Sequence, residues 1–217
     1  MIAPKELVKR ILKPEKYRQL RQALGKERIQ WSRVVMDRET RRLVSALPYY
    51  ELDALEISGD DWSKFGFHSY RHLNYPEYDI CSGPAGEGIC DLVILEQVLE
   101  HVRRPATAIR NAFIMLRPGG RALVTTPFMV KFHAYPGVYG DYYRWTEDGM
   151  RVFLEDAGLV DVVTGSWGNR KCLRADAKKH GLEWTDYNPL LHSLKNEPEW
   201  PISIWAMAQK PLPQKDR

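Results

Sequence analysis

The stretch Asp91–Leu95 (DLVIL) places four apolar residues in a row, with no polar residue to claim a wet face. A strand of that kind must be covered on both sides, which is the condition of a parallel sheet inside an α/β protein. Further short strand signals recur along the chain, at Asp53–Ser58, Ser69–Asn74, Tyr78–Cys81, Arg121–Thr126, Leu159–Gly165 and Ile202–Gln209. Helical patterns separate several of them. One helix is expected from about Val98. Ala106–Leu116 (ATAIRNAFIML) repeats apolar residues at helical spacing, with Gly119-Gly120 as its stop, and Asp148–Ala157 stops at Gly158. Alternating strands and helices imply a mostly parallel sheet with helices on both faces. A chain of 217 residues can bury such a core as one compact domain.

An arm precedes the first strand. Leu7, Ile11, Leu12, Tyr17, Leu20 and Leu24 recur at roughly helical spacing between basic residues, so residues 4–46 read as helices. Pro14 interrupts the first of them, Gly25 ends the second, a third runs from about Asp37 to Leu47, and Pro48 closes the arm. The first 50 residues hold 13 Lys/Arg against 5 Asp/Glu, which makes a basic helical arm or lid of residues 1–48 ahead of a domain at 49–217. Such an arm is a solvated helical surface or a contact for an anionic partner. No RNA-binding module accompanies it, so a nucleic-acid partner is not expected. The apolar runs are too short to span a bilayer, and the N-terminus carries charges where a signal peptide needs an apolar stretch. Three cysteines (Cys81, Cys90 and Cys172) without metal-ligand spacing suggest reduced thiols and a cytoplasmic protein. Nothing in the residues fixes an oligomeric state.

Open α/β sheets bind ligands beyond the carboxyl ends of their strands. Read in order, those ends offer Glu56-Ile57-Ser58-Gly59, Asn74, Asp79, Glu96-Gln97 and Thr126-Pro127-Phe128. Three blocks then carry a resemblance: DLVILEQVLEHV (91–102), MLRPGGRALVTTPF (115–128) and DYYRWTEDGMRVFLEDAGL (141–159). In this order and at these separations they resemble the class I S-adenosylmethionine-dependent methyltransferases, in the subgroup with VLEHV after the fourth strand and LRPGG before the fifth. ISIWAMAQKP (202–211) is similar to that family's last strand. The likeness spans about residues 50 to 211 and rests least on 168–200.

The resemblance implies a Rossmann-like seven-stranded sheet of order 3-2-1-4-5-7-6, strand seven antiparallel, flanked by helices and capped by the N-terminal ones. It implies S-adenosylmethionine as the cofactor. The family's acid-x-Gly-x-Gly loop falls on Glu56, Ser58, Gly59 and Asp60, with Ser58 and Asp60 replacing glycines. Asn74 matches the residue facing the ribose, Asp79 the acid at the adenine amino group, and Glu96 and Gln97 the lining of the methionine end. A sulfonium donor carries no phosphate, so a glycine-rich phosphate cradle is not required.

A hydroxyl acceptor is a poor nucleophile at neutral pH. It needs a general base, or a divalent metal such as magnesium to lower its pKa. The loop 128–145 supplies the candidates His133, Asp141 and Arg144 among Tyr135, Tyr139, Tyr142, Tyr143 and Trp145. His133 has the intrinsic pKa of a base, and His101 reads as an orienting or packed histidine. The residues match no metal-ligand signature. Aromatic faces interleaved with polar groups suit a carbohydrate, and Trp145, Trp167 and Trp184 extend that surface. The chain is also similar to methyltransferases of glycan assembly, among them the sugar O-methyltransferases of methylmannose polysaccharide assembly. The expected reaction is methyl transfer to a hydroxyl of a sugar or oligosaccharide. An RNA or small-metabolite acceptor, or a binding protein with a decayed donor site, remain as alternatives.

Overall fold

The computed structural model describes residues 29–213. The arm helices expected before Gly25 lie outside the described residues. Six strands form one sheet: β1 (Asp53–Ile57), β2 (Ser69–Leu73), β3 (Cys90–Glu96), β4 (Leu116–Pro127), β5 (Val160–Trp167) and β6 (Ser203–Gln209). Their spatial order is β2-β1-β3-β4-β6-β5. The first four run parallel, and β6 lies antiparallel between β4 and β5. This is the Rossmann-like order expected from the sequence without its third, edge strand.

The missing strand is Tyr78–Cys81. Its backbone groups are satisfied locally rather than by a ladder: Tyr78 N–H donates to Asn74 O, Ser82 N–H to Asp79 O, and Cys81 N–H to the Asp79 carboxylate. An Asp that caps its own following residues competes with strand pairing. Ile80 is still buried and supplies the carbonyl that holds Asn111. The segment seals the sheet edge as a turn.

Among the described residues, four helices accompany the sheet: α1 (Val34–Ser45), α2 (Pro105–Met115), α3 (Glu147–Asp156) and α4 (Arg170–Ala177). The continuous run of β3 divides between its two faces. Val93 and Leu95 join Ile109, Met115, Met150 and Leu154 of α2 and α3, whereas Leu92 and Ile94 meet Val44 of α1 and Trp62. The helix expected from Val98 is only a single 3-10 turn, Leu99–His101. The chain is already extended at Val102 (φ −102, ψ 141), and Pro105 keeps it from rejoining a helix earlier, because Arg104 before it is driven out of the helical region (φ −129, ψ 67) and Pro105 becomes the first residue of α2. Helix α2 ends at Met115, four residues before Gly119-Gly120, which sit instead in the extended start of β4.

No helix joins β1 to β2. Residues 60–68 form turns, and Trp62, Phe65 and Phe67 pack as an aromatic wedge where a crossover helix would lie. Arg41 of α1 covers the Trp62 ring at 4.8 Å. On the opposite edge, the 168–200 segment contains α4, capped by the Asn169 side chain, and then returns to clamp the start of the described arm. Trp31 N–H donates to Thr185 O at 2.9 Å, its indole N–H donates to Ser193 O at 3.0 Å, and its ring stacks on His192 at 4.0 Å. Trp167 belongs to this core at 1% exposure, with its indole N–H donating to Leu194 O, and is therefore no part of a ligand surface.

Candidate active site

The carboxyl ends of β1, β2 and β3 open onto one cavity of about 1300 Å³. Ser58, Gly59, Asp60, Asn74, Asp79, Glu96 and Gln97 all line it, so strand ends spread over 40 residues of sequence reach one space. Ser58 holds a left-handed backbone (φ 59) and its N–H donates to Leu73 O. This is the conformation that favours glycine, and Ser58 stands where the expected loop has its first glycine. Asn74 presents a buried Oδ1 that no described residue satisfies. A buried acceptor without a partner, at a cavity wall, asks for a ligand donor.

Glu56 is placed differently from a direct contact. It is 1% exposed and does not line the cavity. Its carboxylate accepts Asp61 N–H at 3.2 Å, Trp62 N–H at 3.1 Å and the Tyr70 hydroxyl at 2.6 Å. Burial raises its pKa despite these bonds. Glu56 thus holds the loop that bounds the cavity, and a Cβ on Gly59 would collide with its carboxylate.

Glu96 is held from two sides. Its Oε2 accepts the Trp62 indole N–H at 2.8 Å, and its Oε1 pairs with the Arg33 guanidinium. Arg33 stands just before α1, so the basic arm reaches the cavity through this pair. Gln97 has a left-handed backbone (φ 57) and its amide donates to Thr125 Oγ1 at 3.2 Å.

The polar groups after β3 and β4 converge on a second cluster beside this cavity. His101 lines the cavity, while His133 lines an adjoining crevice with Arg33, Gln97 and Trp184. The two imidazoles meet edge to face with centroids 5.0 Å apart. His101 Nδ1 is bonded to Gly140 O at 2.6 Å. His133 Nδ1 lies 3.2 Å from both Lys131 O and Asp141 Oδ2. Each Nδ1 therefore carries the proton and each Nε2 keeps its lone pair. Burial pushes both imidazoles below the ordinary histidine range, so both are neutral at pH 7.

Asp141 is not positioned to take a proton. Its side chain is 1% exposed, Arg144 grips its two oxygens, and His133 N–H donates to it at 2.9 Å. Burial acts to raise its pKa, but the Arg144 and His133 bonds together outweigh that and hold it low. Asp141 and Arg144 brace His133 from behind. Glu100, to which the sequence reading gave no role, is wholly buried beside His101, and neither carboxylate oxygen has a hydrogen-bond partner among the described residues. Burial pushes its pKa up to about 8. Its position directly before His101 in VLEHV was the available signal.

Residues 20–184 match a family model described as a methyltransferase domain. The chain belongs to this methyltransferase-domain family. A search of curated proteins gives no match. Among solved structures, the chain is similar to an S-adenosylmethionine-dependent methyltransferase from Archaeoglobus fulgidus, at 15% identity and TM-score 0.52, over 89% of this chain and 99% of that one. It is similar to another from Mesorhizobium loti, at 13% identity and TM-score 0.51, over 77% and 95%. It is also similar to a phosphoethanolamine N-methyltransferase of Haemonchus contortus in complex with S-adenosyl-L-methionine, at 12% identity and TM-score 0.53, over 80% and 52%. At these identities the likeness is one of fold. S-adenosylmethionine is the methyltransferase's cofactor. The cavity suits it: polar side chains in place of a phosphate cradle, and an orphaned Asn74 acceptor among them. No helix among the described residues is long and apolar enough to cross a membrane.

Proposed function

We propose that the protein transfers a methyl group from S-adenosylmethionine to a hydroxyl of a sugar or oligosaccharide, in glycan biosynthesis in the cytoplasm. The observation that carries this reading is the aromatic rim beside the donor cavity. Tyr75, Tyr139 and Tyr142 line the cavity, and Tyr135 and Tyr143 stand exposed next to them. Arg103 lies over the Tyr142 ring at 6.0 Å. Exposed rings alternating with hydrogen-bonding groups match the C–H faces and hydroxyls of a sugar.

In the donor cavity, Asn74 Oδ1 would accept from the ribose hydroxyls and Asp79 from the adenine amino group. Glu96 and Gln97 would line the methionine end, where Glu96, already paired with Arg33, would face the donor's ammonium. When bound, the cofactor supplies an electrophilic methyl on a sulfonium. The protein's part is to align the acceptor hydroxyl with that methyl, because positioning accounts for much of the rate. The hydroxyl is activated at the His101–His133 cluster through the Nε2 lone pairs, which burial keeps unprotonated. Asp141 and Arg144 fix the His133 ring for this task.

An acceptor screen with labelled donor tests the reading. Methyl incorporation into defined oligosaccharides is expected, with loss of turnover and unchanged donor affinity in His133→Ala. Labelling of RNA or small metabolites with no sugar labelled would overturn the carbohydrate assignment.

A further inference from the structure

The cluster of Glu100, His101 and His133 has a feature that methyl transfer by itself does not require. One ligand-capable atom from each residue lies within 4.8 Å of the other two. Glu100 is wholly buried, and both of its oxygens lack a hydrogen-bond partner among the described residues, although Oε1 lies 3.7 Å from His101 Nε2. A buried carboxylate without donors is costly unless a cation or a proton satisfies it. The two histidines are pre-set for a cation. In each, Nδ1 is committed to a backbone carbonyl, Gly140 O for His101 and Lys131 O for His133. That arrangement fixes the tautomer with Nε2 as the donor atom, as in metal-ligating histidines. Asp141 beside His133 Nδ1, itself gripped by Arg144, is the outer carboxylate such sites carry.

We propose that Glu100, His101 and His133 form a binding site for one divalent transition cation, with zinc and manganese as its chemical class. Two imidazoles and one carboxylate are a set that suits these ions, whereas magnesium prefers oxygen ligands throughout. Ligand atoms around a tetrahedral ion with bonds of about 2.1 Å sit roughly 3.4 Å apart, so Glu100 and His101 at 3.7 Å are nearly in place and the widest pair closes by at most about 1.4 Å on binding. Three protein ligands leave a coordination position open. Because His101 lines the donor cavity, that position faces the space beside the tyrosine rim. A hydroxyl ligated there would lose its proton more readily, and the histidines would act on the acceptor through the ion.

The site can be tested without donor or acceptor, so its failure is separate from failure of the methyl-transfer reading. The full chain is stripped with a chelator, and zinc, manganese and magnesium chlorides are titrated in turn by calorimetry. One zinc or manganese per chain is expected, with magnesium at least 100-fold weaker. Glu100→Gln keeps the shape of the buried side chain, and His133→Asn removes one imidazole ligand. Each is expected to weaken zinc binding at least 100-fold while the far-ultraviolet circular dichroism spectrum and the cooperative unfolding transition of the metal-free protein stay as in the wild type, which shows the variants to be folded. Absence of a stoichiometric site in the wild type would overturn the proposal. Zinc binding unchanged in both variants would overturn it equally.

Discussion

Replacing Glu56 by Ala separates two roles for the acid at the end of β1. The carboxylate accepts Asp61 N–H, Trp62 N–H and the Tyr70 hydroxyl, and it is 1% exposed. Asp61 is exposed, and its amide can turn to water when the carboxylate is removed. Trp62 N–H and Tyr70 O–H have less choice, since Trp62 is 1% exposed and Tyr70 half-buried. A buried donor left unsatisfied costs about 1–3 kcal/mol, so two of them cost about 2–6 kcal/mol. Burial of the charge already opposes the native state, as the raised pKa of Glu56 shows, which draws the expectation to the lower part of that range. We predict a loss of about 2–3 kcal/mol in urea unfolding followed by tryptophan fluorescence. Tyr70→Phe, which removes only the bond at 2.6 Å, should lose about 1 kcal/mol. In both variants donor affinity should fall only as far as the 58–62 loop loosens. A Glu56→Ala protein within about 0.5 kcal/mol of wild type, but with a large loss of donor affinity, would refute the bracing role and restore a direct contact.

Ser58→Gly is predicted to stabilise the protein. Its φ of 59 costs an L-residue about 1–2 kcal/mol, and the greater chain entropy of glycine offsets about half of that. A gain of about 0.5–1 kcal/mol in the same unfolding assay is the expected outcome, and a loss would show that the exposed Ser58 side chain stabilises the native loop. Asp53 gives a pH signature. The Ser69 hydroxyl, then His68 and Arg117, hold its carboxyl below the usual carboxylate range. A depressed folded pKa contributes stability above the ordinary value and loses it as pH falls through the folded one. The melting temperature of Asp53→Asn should therefore lie below wild type at neutral pH and converge with it in acid. Parallel curves down to acid pH would exclude the linkage.

The sheet was legible in the sequence because its strands carry both the residue pattern and the turn signals. β1, β2, β5 and β6 begin and end within about two residues of the expected limits, and β6 has the expected antiparallel sense. The third strand failed for a local reason. Asp79 spends its side chain on Cys81 N–H, and hydropathy does not register that competition. The helix expected from Val98 stops after one turn because the chain is extended by Val102, and Pro105 then starts a separate helix, a boundary that the apolar residues around it hid. Trp167 looked like a ligand-stacking ring, and sequence could not show that Leu194 O, 27 residues on, receives its indole N–H.

The site was legible in part. Ser58, Gly59, Asn74, Asp79, Glu96 and Gln97 do face one cavity, because strand ends in such a sheet share a rim. Glu56 belongs beneath that rim, where only the fold of residues 60–70 places three donors around it. Asp141 pairs with Arg144, an i, i+3 spacing visible in the sequence without the burial that makes it binding. Arg33 on Glu96 joins positions 63 residues apart, and no motif announces such a pair.

Calorimetric titration of the full chain with S-adenosylmethionine tests the central claim most directly. One donor per chain is predicted, with affinity reduced about tenfold in Asn74→Ala, where a single hydrogen bond of about 1.4 kcal/mol is lost. A wild-type protein that binds no S-adenosylmethionine would contradict the account.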